Sequence, residues 1–229
     1  MPDADSFRTD EYQRHNRRRQ EHLATLGLNI AGRSVLEVGA GIGDHTSFFI
    51  DRGCTVTATD ARPDNLAVLS RRFPGVRTLM FDVDGPAPRE LSAHEIVYAY
   101  GVLYHLRRPA QGLASLASMC SAMLLLETCV SYGDESAVNL VVEDPADPTQ
   151  SVCGHGCRPT RPWVFAALRE SLPFAYLTRT QPWHPEFPID WSHPTANSTG
   201  LYRSVFVGSR EPIASPLLLD RIINQQERC

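Results

Sequence analysis

Three glycines at alternating positions follow an apolar run early in the chain. Residues 35–38 form that run and include one acid, Glu37; Gly39, Gly41 and Gly43 come directly after it. A strand that ends in closely spaced glycines and leads into a helix brings backbone N–H groups close to a bound nucleotide or nucleoside. The pattern therefore predicts a nucleotide-type binding turn between the first strand and the first helix of an α/β unit.

The spacing of these glycines differs from that of dinucleotide-binding turns. Those turns read G-x-G-x-x-G, whereas here the order is G-x-G-x-G and Asp44 occupies the place of the last glycine. A carboxylate at a helix start suits the helix dipole but repels a pyrophosphate that seeks the same place. We therefore expect a nucleoside ligand without phosphate, which argues against an NAD-dependent oxidoreductase.

Residues 37–43 resemble motif I of the class I S-adenosylmethionine-dependent methyltransferases. The combined pattern of residues 11–12, 156–159 and 184–188 resembles a bacterial, small-molecule type subgroup of that family. The resemblance implies that Glu37 faces the ammonium of S-adenosylmethionine, directly or through water. It also implies that the turn follows the methionine end of the cofactor, because a Cβ there would clash. The turn residues that this resemblance assigns to the cofactor are Gly39, Ala40, Gly41 and Gly43.

Acids at two later strand ends continue the pattern. Residues 55–60 read as a strand that ends in Asp60, near the ~20-residue offset of a ribose-binding acid. Capping of the next helix is the simpler alternative for that aspartate. In the resembled family an acid after the third strand bonds the adenine amine; Asp82 matches best and Asp84 is the alternative. The implied nucleoside site also includes Ala61, Val83 and Tyr100.

Residues 101–106 read Gly-Val-Leu-Tyr-His-Leu and resemble the segment after the fourth strand of many such methyltransferases. Tyr104 is expected on the acceptor side. His105 is expected to be a general base, because its ordinary pKa lies near neutrality, or else to pack under the cofactor. The resemblance further implies an N-terminal helix over residues 10–26 that covers the cofactor. From that helix, Tyr12 and Arg19 are expected at the methionine carboxylate, with Arg14 as the alternative.

Two segments of the second half are expected on the acceptor side. Residues 153–158 read Cys-Gly-His-Gly-Cys-Arg. This single pair of cysteines could suggest zinc, but structural zinc sites usually use two such pairs, so we expect no metal. We expect instead a glycine-rich loop in which Arg158 donates hydrogen bonds to an anionic group of the acceptor. Residues 181–194 are rich in proline and aromatic side chains. From them Trp183, His184 and Trp191 are expected to contact an aromatic or sugar-like small molecule.

Composition bounds the class of protein. The chain has 229 residues and a formal net charge of −4, which argues against a nucleic-acid partner despite a basic cluster at residues 14–19. We expect one methyltransferase domain over residues 1–229: a lid helix in 1–30, a cofactor-binding half in 31–130 and an acceptor-side half in 131–229. No apolar run reaches the ~18 residues of a membrane span, so no membrane partner is expected. Six cysteines and a polar N-terminus suggest a reduced, cytoplasmic protein.

The alternation of strands and helices predicts the fold, and the family resemblance implies the function. We expect an α/β, Rossmann-like, doubly wound sheet of seven strands and a short amphipathic helix in residues 217–229. The resemblance implies in addition that the last strand is antiparallel. The expected function is S-adenosylmethionine-dependent O- or N-methylation of a small molecule. A tRNA-modifying methyltransferase and a cofactor-binding protein that transfers no methyl group are the alternatives, and a homodimer is left open.

Overall fold

The computed structural model describes residues 4–194, 197 and 199–229. A 3-10 helix, Ala4–Arg8, precedes the first α-helix, and a second, Leu103–His105, follows the fourth strand. Within these described residues the α-helices are α1 Asp10–Thr25, α2 Thr46–Ile50, α3 Pro63–Arg72, α4 Pro109–Ser118 and α5 Arg161–Ser171. The strands are β1 Ser34–Val38, β2 Thr55–Asp60, β3 Arg77–Met80, β4 His94–Tyr100, β5 Cys120–Cys129, β6 Val138–Val142, β7 His155–Pro159, β8 Phe174–Thr178, β9 Thr180–Gln181, β10 Arg203–Ser209, β11 Leu218–Leu219 and β12 Glu227–Arg228.

The main sheet has the predicted doubly wound order. Its strands lie in the order β11-β8-β10-β5-β4-β1-β2-β3. Strands β1 to β5 are parallel, and β10 runs antiparallel between β5 and β8. The expected α/β fold with its antiparallel last strand is therefore confirmed. The expected count of seven strands is one too few, because β11 adds an eighth strand at the edge beside β8.

The sheet is covered on both faces, which explains the apolar strands. On β5, Leu124 and Leu126 pack into one core cluster with α4 and α5. Leu125 points to the other face and packs with residues of α1 and α2. A strand buried on both faces requires an unbroken apolar run, which is how β5 reads in the sequence. No helix of the described residues is long and apolar enough to cross a membrane.

The C-terminal tail is extended, so the expected helix in residues 217–229 is wrong. Strand β11 pairs with β8, and β12 pairs in parallel with β9. Backbone bonds between these pairs continue the contact, including Trp191 N to Asn224 O at 2.8 Å and Gln226 N to Ile189 O at 2.7 Å. The open edges of β8 and β9 provide more hydrogen-bond partners for the backbone of the tail than a short isolated helix would. The tail is therefore extended and pairs with these strands.

Candidate cofactor and acceptor site

A cavity of about 620 Å³ opens where β1, β2 and β4 end. Helix α1 and the hairpin formed by β6 and β7 form part of its wall. Ligands of doubly wound sheets bind at this edge. Most of the site residues expected from the sequence line this cavity: Tyr12, Arg19, Gly39, Gly41, Asp60, Ala61, Asp82, Val83, Tyr100, Tyr104, His105, Arg158 and His184.

The first glycine turn is shaped for close approach. Gly39 has a φ of 64°, and a Cβ added there would lie 2.5 Å from Val102 Cγ2. Gly41 N donates to Asp60 Oδ2 at 2.9 Å, while Asp60 Oδ1 accepts from Arg62 N at 2.8 Å. Asp60 therefore joins the turn to the next helix, and burial raises its pKa against these hydrogen bonds. The ribose and capping roles are compatible, because a carboxylate can accept about four bonds.

Three expected cofactor residues do not line the cavity: Glu37 at the end of β1, and Ala40 and Gly43 of the turn. Glu37 is buried under the turn, where its Oε2 accepts from Thr46 Oγ1 at 2.7 Å. Burial raises the pKa of Glu37 to about 8, with the Thr46 bond acting in the opposite direction. Gly43 packs against α3, where a Cβ would lie 3.0 Å from Leu69 Cγ. Any contact of Glu37 with the cofactor would therefore pass through the turn or through water.

Asp44 connects elements rather than starting a helix. Helix α2 begins at Thr46, and Asp44 bonds Arg72 at 2.7 Å and Gln13 at 3.1 Å. It thereby fastens α1 and α3 to the glycine turn. Of the two acids after β3, Asp84 accepts from the backbone of Arg107 and Arg108 and so holds the segment after His105. Asp82 and Asp84 both line the cavity, and Asp82 stays the predicted acid for the adenine amine.

Neither tryptophan expected in the acceptor site lies at the cavity. Trp191 belongs to the core: it is 6% exposed, and its Nε1 donates to Gln226 Oε1 at 2.7 Å. Trp183 is 59% exposed and donates to the carbonyl of Cys229 at 2.7 Å. Both indoles hold the C-terminal tail, which the sequence had predicted as a helix. The structure therefore brings neither indole to the cavity where contact with the acceptor was expected.

A buried network of four charges joins α1 to β5 and β10. Arg19 donates to Glu127 Oε2 at 2.8 Å, and Arg203 donates to Glu127 Oε1 at 3.1 Å. Arg203 also donates to Glu186 at 2.6 Å and to the Tyr104 hydroxyl at 3.2 Å. Burial acts to raise the pKa of Glu127, but the two arginines outweigh it and keep the carboxylate ionised. Arg203 and Glu186 were missed from the sequence, because neither stands in a recognisable motif.

His105 has a carboxylate partner that the sequence did not reveal. Its Nδ1 lies 2.5 Å from Glu143 Oε2, and that glutamate also accepts from Ser151 N at 2.9 Å. Burial acts to raise the pKa of Glu143, but its contacts with His105, Ser151 and Arg158 together outweigh burial and leave the pKa below its usual range. An ionised carboxylate only accepts, so His105 carries its proton on Nδ1 and presents an unprotonated Nε2. Burial lowers the pKa of His105, and Glu143 raises it in part.

The cysteine loop forms part of the hairpin rather than a free loop. Residues 155–159 are strand β7, which pairs with β6. The Cys157 thiol is buried and donates to Leu103 O at 3.4 Å, whereas Cys153 is exposed. Arg158 lies at the cavity, where it approaches Glu143 at 3.4 Å. The loop therefore holds the 3-10 helix that carries His105.

Comparisons with known proteins agree with this geometry. Residues 36–121 match a family model described as a methyltransferase domain. The N-terminal domain of EvdMO1, solved with SAH and D-fucose, superposes with a TM-score of 0.63 at 22% identity, over 88% of this chain and 84% of that one. Magnesium protoporphyrin IX methyltransferase from Synechocystis PCC 6803, solved with SAM, gives 0.57 at 13% identity, over 88% and 80%. Residues 36–121 thus match a methyltransferase domain, as the glycine motif predicted, and the fold is that of methyltransferases solved with SAM or SAH bound.

Curated relatives have a more specific name. The tRNA U34 carboxymethyltransferase of Photobacterium profundum is 36% identical over 120 residues, which are 48% of this chain and 36% of that protein. The protein of that name from Shewanella piezotolerans is 35% identical over 133 residues, 54% of this chain and 39% of that protein. The chain thus spans less than two fifths of the length of these relatives.

These relatives correct two expectations drawn from the sequence. The small-molecule acceptor, aromatic or sugar-like, is wrong, because the matched curated proteins are named for a transfer RNA acceptor. The argument from net acidity against a nucleic-acid partner is wrong for the same reason. Net charge averages over the whole surface, whereas an RNA needs cations only where its phosphates lie.

Proposed function

We propose that this chain modifies transfer RNA by moving the carbon group carried on the sulfonium of S-adenosylmethionine to a nucleobase. The observation that carries the proposal is the 36% identity over 120 residues with a tRNA U34 carboxymethyltransferase. The family match at residues 36–121 includes the glycine turn, Asp60 and the segment with His105. A tRNA acceptor also agrees with the cytoplasmic location expected from the sequence.

Exposed arginines near the cavity support an RNA acceptor. Arg14 and Arg17 lie on the solvent side of α1, whose residues Tyr12 and His15 line the cavity. Arg107 and Arg108 are exposed and come directly after the segment that carries His105. Such side chains can neutralise backbone phosphates around a base that enters the cavity. We assign residues 131–229, with Arg158 at the cavity, to the acceptor-side half of one domain.

The residues of the site have two roles: some align the cofactor with the acceptor, and others remove a proton from the acceptor. When bound, S-adenosylmethionine supplies an electrophilic carbon on its sulfonium. The glycine turn, Asp60 and Asp82 would hold the cofactor so that this carbon faces the acceptor, because in-line alignment is the main source of rate in such a transfer. His105 Nε2 would take the acceptor proton, and Glu143 would hold the ring and stabilise the imidazolium that forms.

The test uses unmodified tRNA and nucleoside mass spectrometry. The protein is incubated with S-adenosylmethionine or its carboxylated sulfonium analogue and with tRNA transcribed in vitro or isolated from cells that lack this gene. A new nucleoside heavier by one methylene unit or one carboxymethyl group supports the proposal, and the Gly39→Ala variant is the inactive control. If the parent binds the cofactor but alters no nucleoside in either tRNA pool, the proposal is overturned.

A further inference from the structure

Arg62 contacts both the predicted ribose site and the hairpin formed by β6 and β7. It directly precedes α3, and its backbone N donates to Asp60 Oδ1 at 2.8 Å. Its guanidinium Nη2 donates to Pro145 O at 3.0 Å and to Gln150 O at 3.1 Å. One side chain therefore links the end of β2 to a loop that lies 83 to 88 residues further along the chain.

The hairpin loop, residues 144–151, is held together by its own hydrogen bonds. Asp144 N donates to Gln150 Oε1 at 2.8 Å, and Gln150 N donates to Asp147 O at 3.1 Å. Thr149 N donates to Asp147 Oδ1 at 2.8 Å. A segment that is bonded internally in this way is displaced as one unit. The two bonds from Arg62, one near each end, therefore fix the position of the whole loop.

The two ends of the hairpin loop place the carboxylate of Glu143. Pro145 comes two residues after Glu143, and Gln150 comes directly before Ser151. Ser151 N donates to Glu143 Oε2 at 2.9 Å, and the same oxygen lies 2.5 Å from His105 Nδ1. Both carbonyls that the guanidinium binds therefore lie within two residues of a group that holds this carboxylate oxygen or carries it.

We infer that Arg62 is a positioning residue, which holds the hairpin loop so that the carboxylate of Glu143 is directed at His105. Its side chain acts through the loop, whereas its bond to the predicted ribose acid comes from the backbone and is kept when the side chain is replaced. Asn65 of α3 also approaches the loop, but its Nδ2 lies 3.5 Å from Pro148 O, at the limit for a hydrogen bond. The role in turnover rests on the proposed function, whereas the contacts require no assumption about the acceptor.

The charges that face His105 supply a measurable sign of this positioning. Burial lowers the pKa of His105 most strongly, Glu143 of the hairpin acts to raise it, and Arg203 of β10 and Arg158 of β7 act to lower it. If Glu143 moves away, the effects that lower the pKa are no longer opposed by its charge, so the pKa of His105 should fall. An arginine that served the adenosine end of the cavity alone would leave the pKa of His105 unchanged.

Titration of the histidine rings by nuclear magnetic resonance tests this directly, without tRNA or cofactor. The signals of His105 are identified by their absence from the spectrum of His105→Gln. We expect the pKa of His105 to be lower in Arg62→Ala than in the parent, in the same direction as in Glu143→Gln. The variant with both changes should match Glu143→Gln. The matched control is Arg71→Ala, which removes an exposed arginine of α3 that does not line the cavity.

An unchanged pKa of His105 in Arg62→Ala overturns the inference, and so does a further fall when Arg62→Ala is added to Glu143→Gln. If the unfolding midpoint shows that Arg62→Ala does not fold, Arg62→Met takes its place, since methionine keeps an apolar stem but donates no hydrogen bond. At saturating cofactor, kcat of Arg62→Ala should fall several-fold and by no more than in Glu143→Gln. The titrations need neither tRNA nor turnover, so a failed tRNA assay overturns the proposed function and leaves them unaffected.

Discussion

His105 Nδ1 and Glu143 Oε2 lie 2.5 Å apart although 38 residues separate them in the chain. His105 ends the 3-10 helix after β4, and Glu143 follows the first strand of the hairpin that leaves the sheet after β5. The side chain of Glu143 is only 4% exposed, so its charge is directed at His105 and Arg158 rather than at solvent. The pair has the arrangement of a base and the group that orients it.

The first prediction is that Glu143→Gln lowers kcat without weakening the binding of the cofactor. The glutamine amide fills the same space but cannot stabilise an imidazolium, so we expect kcat to fall roughly 10–100-fold. This loss is smaller than the ~10²–10⁴-fold expected when His105→Ala removes the base itself. Glu143 raises the pKa of His105, and its removal should move the acid limb of the kcat profile to lower pH. Turnover of tRNA is measured across pH, with cofactor affinity as the reference.

Glu170→Gln is the matched control, because Glu170 is exposed on α5 and does not line the cavity. His105→Gln separates the two roles of the histidine, since glutamine keeps a hydrogen bond but accepts no proton. If His105→Gln and Glu143→Gln both turn over like the parent, His105 is a packing residue.

The second prediction is that Gly39→Ala abolishes cofactor binding while Gly53→Ala does not. Both glycines have positive φ, 64° and 69°, so alanine introduces similar backbone strain at each. A Cβ at Gly39 meets Val102 Cγ2 at 2.5 Å, whereas nothing lies within 4 Å of a Cβ at Gly53. Calorimetry with S-adenosylmethionine should find at least tenfold weaker binding in Gly39→Ala alone, restored in part by Val102→Ala. Equal affinities in the two alanine variants would place the cofactor elsewhere.

The cofactor half was predictable because its signals are local. The signals are the end of β1, the glycine turn and the acid at the end of β2, which follow one another in the sequence. The path of the backbone between them brings Gly41 N to the side chain of Asp60. Helices α4 and α5 also carry local signals, because each starts with a proline in its first turn and keeps an apolar face.

The acceptor half was not predictable because its contacts are long-range. Arg203 and Glu127 lie on neighbouring antiparallel strands, and Glu186 reaches Arg203 from a connection without regular structure. The composition of that connection gave the wrong result for Trp191, because an aromatic residue that packs in a core has the same sequence pattern as one that binds a ligand. Only the pairing of the C-terminal tail explains where both tryptophans point.

The third prediction is that Glu127→Gln strongly destabilises the fold. It leaves Arg19 and Arg203 without the carboxylate that both of them contact at the centre of the molecule. Removal of one partner of a buried ion pair typically costs ~3–5 kcal/mol, whereas an exposed pair is worth little. Glu21→Gln, which breaks the exposed pair of Glu21 with Arg18, is the control. Urea unfolding of both variants checks this, and similar midpoints would mean that water reaches Glu127.

The fourth prediction concerns the pH dependence of stability through Glu37. Burial raises the pKa of Glu37 from 4.5 to about 8, so the folded protein holds a proton that the unfolded chain has lost. The stability that this group contributes is complete below about pH 4.5 and is lost as the pH rises towards 8, by up to about 1.4 kcal/mol per pH unit. Glu37→Gln carries no proton to lose and can still accept from Thr46.

The free energy of unfolding of Glu37→Gln relative to the parent should therefore increase as the pH is raised across that range. Urea unfolding without cofactor measures it, and Glu170→Gln should give a difference that does not change with pH. A flat difference for Glu37→Gln would mean that the carboxylate is already ionised in the folded protein. Saturation with S-adenosylmethionine adds a second reading: if Glu37 faces the cofactor ammonium, that positive charge stabilises the carboxylate, and the cofactor should release a proton from the parent but not from Glu37→Gln.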